Sequence, residues 1–175
     1  MTWVWVWVSL LLHHAQGVRV SRVSVPEPAA IVGEAATLRC HFTTPNDTFF
    51  SVRWYKDERQ FYSFVPDRIP VKRTHYLPGL FVQVPESDEH VVQLRRVEVD
   101  NEGAYSCEVI GDKPFFKSSS STANLSVALL PTTLVISGAE GQHSVHSLLN
   151  VTCTARDSWP RPNLTYFING NPRKD

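Results

Sequence analysis

The sequence lacks an excess of charge of either sign. Its 175 residues contain 17 Lys and Arg and 17 Asp and Glu, which gives a formal net charge of zero. Proteins that bind nucleic acids or anionic membrane surfaces through electrostatics carry a clustered basic excess. The balance therefore argues against a nucleic acid or an anionic membrane surface as the partner.

Motifs of the common enzyme classes are also lacking. The chain contains no Gly-x-Ser-x-Gly, no phosphate-binding loop and no dinucleotide fingerprint. His143 and His146 form a His-x-x-His pair, but no Glu or Cys lies nearby at the spacing of a zinc site. A solvated loop is the better interpretation of this pair. We therefore predict no enzymatic activity, no cofactor and no metal site.

The N-terminal stretch MTWVWVWVSLLLHHAQG contains no Asp, Glu, Lys or Arg and holds an apolar run from Trp3 to Leu12. This run is shorter than the about 20 residues that a membrane-spanning helix needs. Ala15 and Gly17 give the small-x-small pattern of a signal-peptidase site. We predict a secretory signal over residues 1–17 and an extracellular protein, secreted or attached to the outer cell surface. The alternating Trp and Val would also fit a buried N-terminal strand.

Four Asn-x-Ser/Thr triplets occur in the chain. A single triplet is weak evidence, but several of them behind a secretory signal predict a glycoprotein. The expected glycosylation sites are Asn46, Asn124, Asn150 and Asn163.

The hydrophobic pattern is that of an all-β protein. Short alternating or β-branched apolar runs are separated by Pro, Gly, Asn and Asp, and no stretch has a convincing helical period. The segment KSSSST (117–122) would fit a flexible tip, but the alternation that follows it favours a strand. The predicted strands cover residues 35–42, 51–56, 91–99, 104–110 and 121–129.

The cysteines follow a specific order. Cys40, Trp54 and Cys107 occur in sequence on predicted strands, and Tyr105 lies two residues before the second cysteine. This pattern resembles the immunoglobulin superfamily, and the long interval after Trp54 leaves room for a variable-type domain over residues 18–130. The resemblance implies a Cys40–Cys107 disulfide between two sheets, a core Trp54 packed on it, and a core Tyr105 whose hydroxyl bonds to upstream backbone. Asn101 stands where the superfamily usually has Asp, so its buried Arg–Asp pair is not assumed here.

The strand pattern restarts after Pro131. Residues 132–137 and 148–155 read as two strands, and residues 162–172 read as a third strand and a turn. Tyr166 stands after Cys153 at about the interval that separates Trp54 from Cys40. We interpret residues 131–175 as the N-terminal part of a second immunoglobulin-like domain, incomplete in this sequence, with no partner for Cys153.

A closer resemblance lies in three segments of the first domain: VPEPAAIVGEAATLRCHF (25–42), VRWYKDERQFYSFVPDRIP (52–70) and CEVIGDKPFF (107–116). They resemble the beaten path family of insect neuronal surface proteins. The resemblance implies an adhesion protein that binds sidestep-family receptors on other cells, in axon guidance and synaptic partner choice. The alternative is another immunoglobulin-type receptor, or a soluble binder of an immune or growth-factor ligand.

The resemblance to variable-type domains also implies a partner-binding face, on the sheet of the strands conventionally lettered C, C′, F and G. With Trp54 and Cys107 pointing inward, alternation turns their strand neighbours outward. The FYSF segment (61–64) has more aromatic residues than one inward face needs. Packing as ordinary core is the alternative for these aromatics. The predicted face comprises Arg53, Tyr55, Tyr62, Phe64, Glu108, Ile110 and Phe115.

Overall fold

The computed structural model describes residues 17–114, 116–139, 144, 146–168 and 170–173. The predicted signal segment therefore lies outside the described residues, apart from Gly17. Among the described residues, no helix is long and apolar enough to cross a bilayer. Regular structure in this part of the chain consists of β-strands and three short 3-10 helices, which agrees with the predicted all-β class.

Among the described residues, ten strands precede Pro131 and four follow it. The 3-10 helices are Pro45–Asp47, Val84–Glu86 and Val99–Asn101. The strands before Pro131 are β1 (Arg19–Ser24), β2 (Ala30–Ile31), β3 (Ala36–Thr43), β4 (Ser51–Lys56), β5 (Arg59–Phe64), β6 (Lys72–Thr74), β7 (Val91–Leu94), β8 (Gly103–Ile110), β9 (Ser118–Leu125) and β10 (Val127–Ala128). Those after it are β11 (Thr133–Ser137), β12 (Thr152–Arg156), β13 (Tyr166–Ile168) and β14 (Asn171–Arg173).

The first domain is a sandwich of two antiparallel sheets. One sheet has the order β1-β3-β7 and the other has the order β6-β5-β4-β8-β9. The short strand β10 continues β9 and pairs in parallel with β2, with Val127 opposite Ala30. These pairings satisfy the backbone donors and acceptors of the inner strands of both sheets.

The core lies between the two sheets and is built by alternation along most of the strands. On β3, Ala36, Leu38 and Cys40 are buried, and on β8 the buried residues include Tyr105 and Cys107. Alternate residues of a strand point to opposite faces, so each strand contributes one inward set. Burying a large apolar side chain of this kind stabilises the fold by about 1.5–3 kcal/mol.

The predicted disulfide joins the two sheets. Cys40 on β3 is bonded to Cys107 on β8, across a sequence separation of 67. Trp54 on β4 lies directly opposite Cys107 and is fully buried. The Tyr105 hydroxyl donates a hydrogen bond to the Asn101 carbonyl oxygen at 2.9 Å. The disulfide prediction is confirmed.

The segment after Pro131 forms two small sheets, β11 with β12 and β13 with β14. Ile136 lies opposite Cys153, whose thiol is free and half-buried. Leu129 and Trp159 form a two-bond backbone bridge, with N···O distances of 2.7 and 3.0 Å. This bridge ties the end of the first domain to the loop that follows β12.

Candidate partner-binding face

The outer face of the five-stranded sheet is the side turned away from β1, β3 and β7. Cross-strand partners lie on the same face of a sheet. Arg53 lies opposite both Ser63 on β5 and Glu108 on β8, Ser63 lies opposite Arg73, and Glu108 lies opposite Ser120. One row of side chains therefore crosses all five strands. The same alternation adds further members to the outer face: Ser51, Tyr55, Gln60, Ala104, Ser106, Ile110, Ser118, Thr122 and Asn124.

Tyr55 and Glu108 form a side-chain contact between β4 and β8 on the outer face. The Tyr55 hydroxyl donates a hydrogen bond to Glu108 Oε2 at 2.8 Å. Partial burial and this bond raise the pKa of Tyr55, although the neighbouring Arg53 guanidinium acts in the opposite direction. A hydrogen bond to an ionised acceptor is stronger than one between neutral groups. The bond therefore holds the Tyr55 ring in one orientation between β4 and β8.

A hollow of about 470 Å³ lies beside the Tyr55 ring. At one end of it, hydrogen bonds from Lys56 and from the Ala104 backbone N–H hold the pKa of the Asp57 carboxyl below its usual value. A Cβ at Gly103, which has a φ of 145°, would stand 2.6 Å from Asp57 Oδ1, so only glycine permits this approach. All the lining residues except Ala104 carry a polar group: Tyr55, Asp57, Glu58, Ala104, Ser106, Glu108, Ser120 and Thr122.

The predicted exposure of Tyr62 is wrong. Tyr62 is fully buried opposite Trp54, its hydroxyl donates to the Asp88 carbonyl oxygen at 3.2 Å, and burial raises its pKa. The cause is a β-bulge in β5, because Tyr55 pairs with Gln60 and leaves Phe61 as an extra residue. A bulge breaks the two-residue alternation, so Phe61 and Tyr62 both enter the core.

Phe64 is also placed differently from the prediction. It lies opposite Val52, whose side chain points inward, and it packs partly buried against the core. Its ring centroid is 6.1 Å from that of Phe49. Interpretation as ordinary core, which the sequence left open for these aromatics, therefore fits Phe64 better than membership of the outer face.

The remaining predicted face residues fall into two groups. Arg53, Tyr55, Glu108 and Ile110 are half-buried and lie together on the outer face. Phe115 lies outside the described residues. Sequence reasoning missed Ser63 and Arg73, which complete the row across the sheet, because their positions depend on the register between β5 and β6.

Sequence reasoning also missed an aromatic contact beside the Ile110 end of the outer face. The rings of Phe50 and Phe116 meet edge to face with centroids 5.3 Å apart, and Phe116 is exposed. The Phe50 N–H donates to the Ile110 carbonyl oxygen at 2.9 Å, which fixes this contact next to β8. The doubled phenylalanines at 49–50 and 115–116 were the available signal.

The four Asn-x-Ser/Thr acceptors are all exposed. Asn46 lies in the 3-10 helix before β4, in the left-handed backbone region at a φ of 54°. Asn124 lies on β9 itself, opposite Ala104. Asn150 and Asn163 belong to the segment after Pro131.

Histidine positions give no metal site in the described part of the chain. His143 lies outside the described residues and His146 is exposed. Over the residues that the structure describes, no group of three or more His, Cys, Asp or Glu side chains is arranged to hold a metal ion.

Comparison with known proteins bears on the fold. The family model for the immunoglobulin V-set domain matches residues 24–128. Murine CEACAM1b matches with a TM-score of 0.61, 16% identity, and coverage of 88% of this chain and 81% of that chain. An amphioxus IgVJ-C2 molecule matches with a TM-score of 0.52, 23% identity, and coverage of 82% and 78%.

A further match comes from the structure of a mouse coronavirus receptor-binding domain complexed with its murine receptor. It has a TM-score of 0.53 and 14% identity, with coverage of 88% of this chain and 86% of that one. These alignments cover a larger share of the chain than the V-set domain alone. At such identities they show the fold alone. No curated protein matches the sequence significantly.

Proposed function

Because the chain belongs to the immunoglobulin V-set family, we propose that it is an extracellular recognition protein that binds another protein through the outer face. The V-set fold is typical of recognition proteins that are not enzymes. One observation carries the proposal: Arg53, Tyr55 and Ile110 lie on the outer face and none of them belongs to the buried core. Arg and Tyr are enriched among residues that dominate protein interfaces.

The partner that we propose is a sidestep-family receptor on another cell, and the setting is axon guidance and synaptic partner choice. The support is the resemblance of residues 25–42, 52–70 and 107–116 to the beaten path family. The secretory signal predicted over residues 1–17 and the disulfide support an extracellular protein, because disulfides form and persist in oxidising compartments. The protein is either secreted or attached to the outer cell surface.

Alanine variants of the outer face test this proposal against a panel of extracellular domains. The panel contains sidestep-family ectodomains, other immunoglobulin-type receptors and growth factors. Tyr55→Ala should weaken binding at least about tenfold, which corresponds to about 1.4 kcal/mol, because it truncates an aromatic anchor in the centre of the face. Tyr55→Phe keeps the ring and removes only the bond to Glu108, so it should retain more of the affinity.

Arg53→Ala has a matched control in Arg39→Ala, since Arg39 is exposed on β3 in the opposite sheet. Only the former should reduce binding. The proposed face is wrong if Arg53, Tyr55, Glu108 and Ile110 can each be changed to alanine in a secreted, folded protein with no loss of partner binding. Binding only to another class of receptor or to a growth factor would keep the recognition role and replace the sidestep partner.

A further inference from the structure

We propose that an N-glycan on Asn124 stands on the outer face itself and covers the end where Ala104 and Asn124 pair, next to Tyr55, so that a partner reaches Tyr55 from the Ile110 end. The direction from which the partner docks rests on the proposed function, whereas the position of the glycan does not. The position of the glycan follows from the strand register and from the acceptor triplet Asn124-Leu125-Ser126.

The orientation of Asn124 is fixed by its neighbours on the chain. Leu125 and Val127 are buried in the core, and Asn124 and Ser126 are exposed. Adjacent residues of a strand point to opposite faces, so burying Leu125 turns Asn124 outward. The eight-residue pairing of β9 with β8 places Asn124 directly opposite Ala104 and holds this register.

The Tyr55 hollow begins next to this position. Ala104, Ser106 and Thr122 belong to its lining, and Ser106 lies opposite both Thr122 and Tyr55. Asn124 lies two strands away from Tyr55 and two residues further along the strand direction. The two residues are therefore roughly 12 Å apart. A glycan is bulky and hydrated, so it would stand over this end of the outer face.

The opposite end of the outer face is left open. Ser118, which lies opposite Ile110, is six positions from Asn124 along β9, or roughly 20 Å. Asn46 lies in a 3-10 helix before β4 and outside the sheet, so its glycan would leave from a loop. Among the acceptor sites in the described residues, Asn124 alone lies on the outer face.

Changes at Ser126 test the inference without altering Asn124. Ser126→Ala removes the hydroxyl that the Asn-x-Ser/Thr triplet requires and Ser126→Thr keeps it. Ser126 is exposed, so both variants should fold. In protein secreted from eukaryotic cells, glycopeptide mass analysis should find Asn124 modified in the wild type and in Ser126→Thr, and bare in Ser126→Ala. Asn124→Gln serves as an independent second way to remove the glycan.

Hydroxyl-radical footprinting then measures how far the glycan shields Tyr55 from solvent. Tyr55 should be oxidised severalfold faster in Ser126→Ala than in Ser126→Thr. Tyr76 provides the internal control, because it is 85% exposed and follows β6 at the opposite edge of the sheet; its oxidation should not change. A bare Asn124 in the secreted wild type, or equal Tyr55 oxidation in the two variants, would overturn the inference.

This readout needs no partner, so it separates the glycan from the proposed function. A changed Tyr55 footprint together with normal binding by the outer-face alanine variants would leave the glycan in place and refute the binding role. If the binding role holds, the Kd for the partner should also differ severalfold between Ser126→Ala and Ser126→Thr, because the glycan limits where the partner can dock.

Discussion

Replacing Asn101 by Asp should destabilise the first domain, and the loss should depend on pH. Asn101 is 1% exposed. Its Nδ2 donates to the Gly79 carbonyl oxygen at 3.0 Å, and its Oδ1 accepts from the Glu98 N–H at 2.8 Å. A carboxylate would keep the second bond and lose the first, because it has no donor to offer Gly79. The asparagine at this position is therefore required by its two neighbours.

Two effects set the magnitude. Leaving the part-buried Gly79 oxygen without its donor costs about 1–3 kcal/mol. The Glu98 side chain already accepts a hydrogen bond from the Asn101 N–H, so a new carboxylate would be buried close to a like charge. Both burial and this charge would raise its folded pKa above the unfolded value of about 3.9. Each unit of that increase removes a further ~1.4 kcal/mol at neutral pH.

The sign of the pH dependence follows from linkage. A carboxyl whose folded pKa is raised binds more protons in the folded state, so stability falls as pH rises from about 4 through the folded pKa. The protonated acid can also donate to Gly79. The stability difference between Asn101→Asp and the wild type should therefore be about 3 kcal/mol at pH 7.5, and it should shrink by at least about 1 kcal/mol at pH 4.5.

Urea denaturation of residues 18–130 at the two pH values measures this difference. Asp100→Asn is the matched control, since it changes one charge at the exposed neighbouring position and should shift stability by less than about 0.5 kcal/mol. A variant Asn101→Asp as stable as the wild type at pH 7.5, or one equally destabilised at both pH values, would refute the reasoning.

Two further changes test the core. Cys107→Ser opens a loop of 67 residues and should lower the unfolding free energy by about 4 kcal/mol on the chain-entropy account. The variant should therefore be retained in the secretory pathway. Mass mapping that finds Cys40 as a free thiol in the secreted wild type would contradict the disulfide. Tyr62→Ala should lower the unfolding free energy by about 3–5 kcal/mol, measured by urea denaturation, and Tyr55→Ala should cost far less. Equal losses for the two tyrosines would contradict the assignment of Tyr62 to the core.

Spacing and parity predicted the part of the fold that obeys strict alternation. The pairing of β4 with β8 runs without a register shift, so the inward parity of Trp54 and Cys107 carries along both strands. The same parity placed Arg53, Tyr55, Glu108 and Ile110 on one face. These positions could be predicted because the disulfide pattern fixes which residues point inward on one strand of each sheet.

Parity failed where the chain contains an extra residue. The bulge at Phe61 changes the side on which the following residues lie, and nothing in the local sequence FYSF marks it. The aromatic content of that segment predicts surplus rings on the outer face, whereas the core takes Phe61 and Tyr62 together. The contacts Phe50–Phe116 and Ser63–Arg73 depend on pairings between distant segments, which one sequence does not specify.

The alternation has a consequence for specificity. Every outer-face residue on β4 and β8 has an inward neighbour that the core holds fixed, so the side chains of the face can change while Trp54 and the disulfide remain in place. The exception is the Tyr55–Glu108 hydrogen bond, which links the two central strands across the face. Substitutions at Arg53 or Ile110 should therefore alter partner choice with little effect on folding. A change at Tyr55 alters both the shape of the hollow and the contact between β4 and β8, so the central tyrosine is the outer-face position at which recognition and stability are coupled.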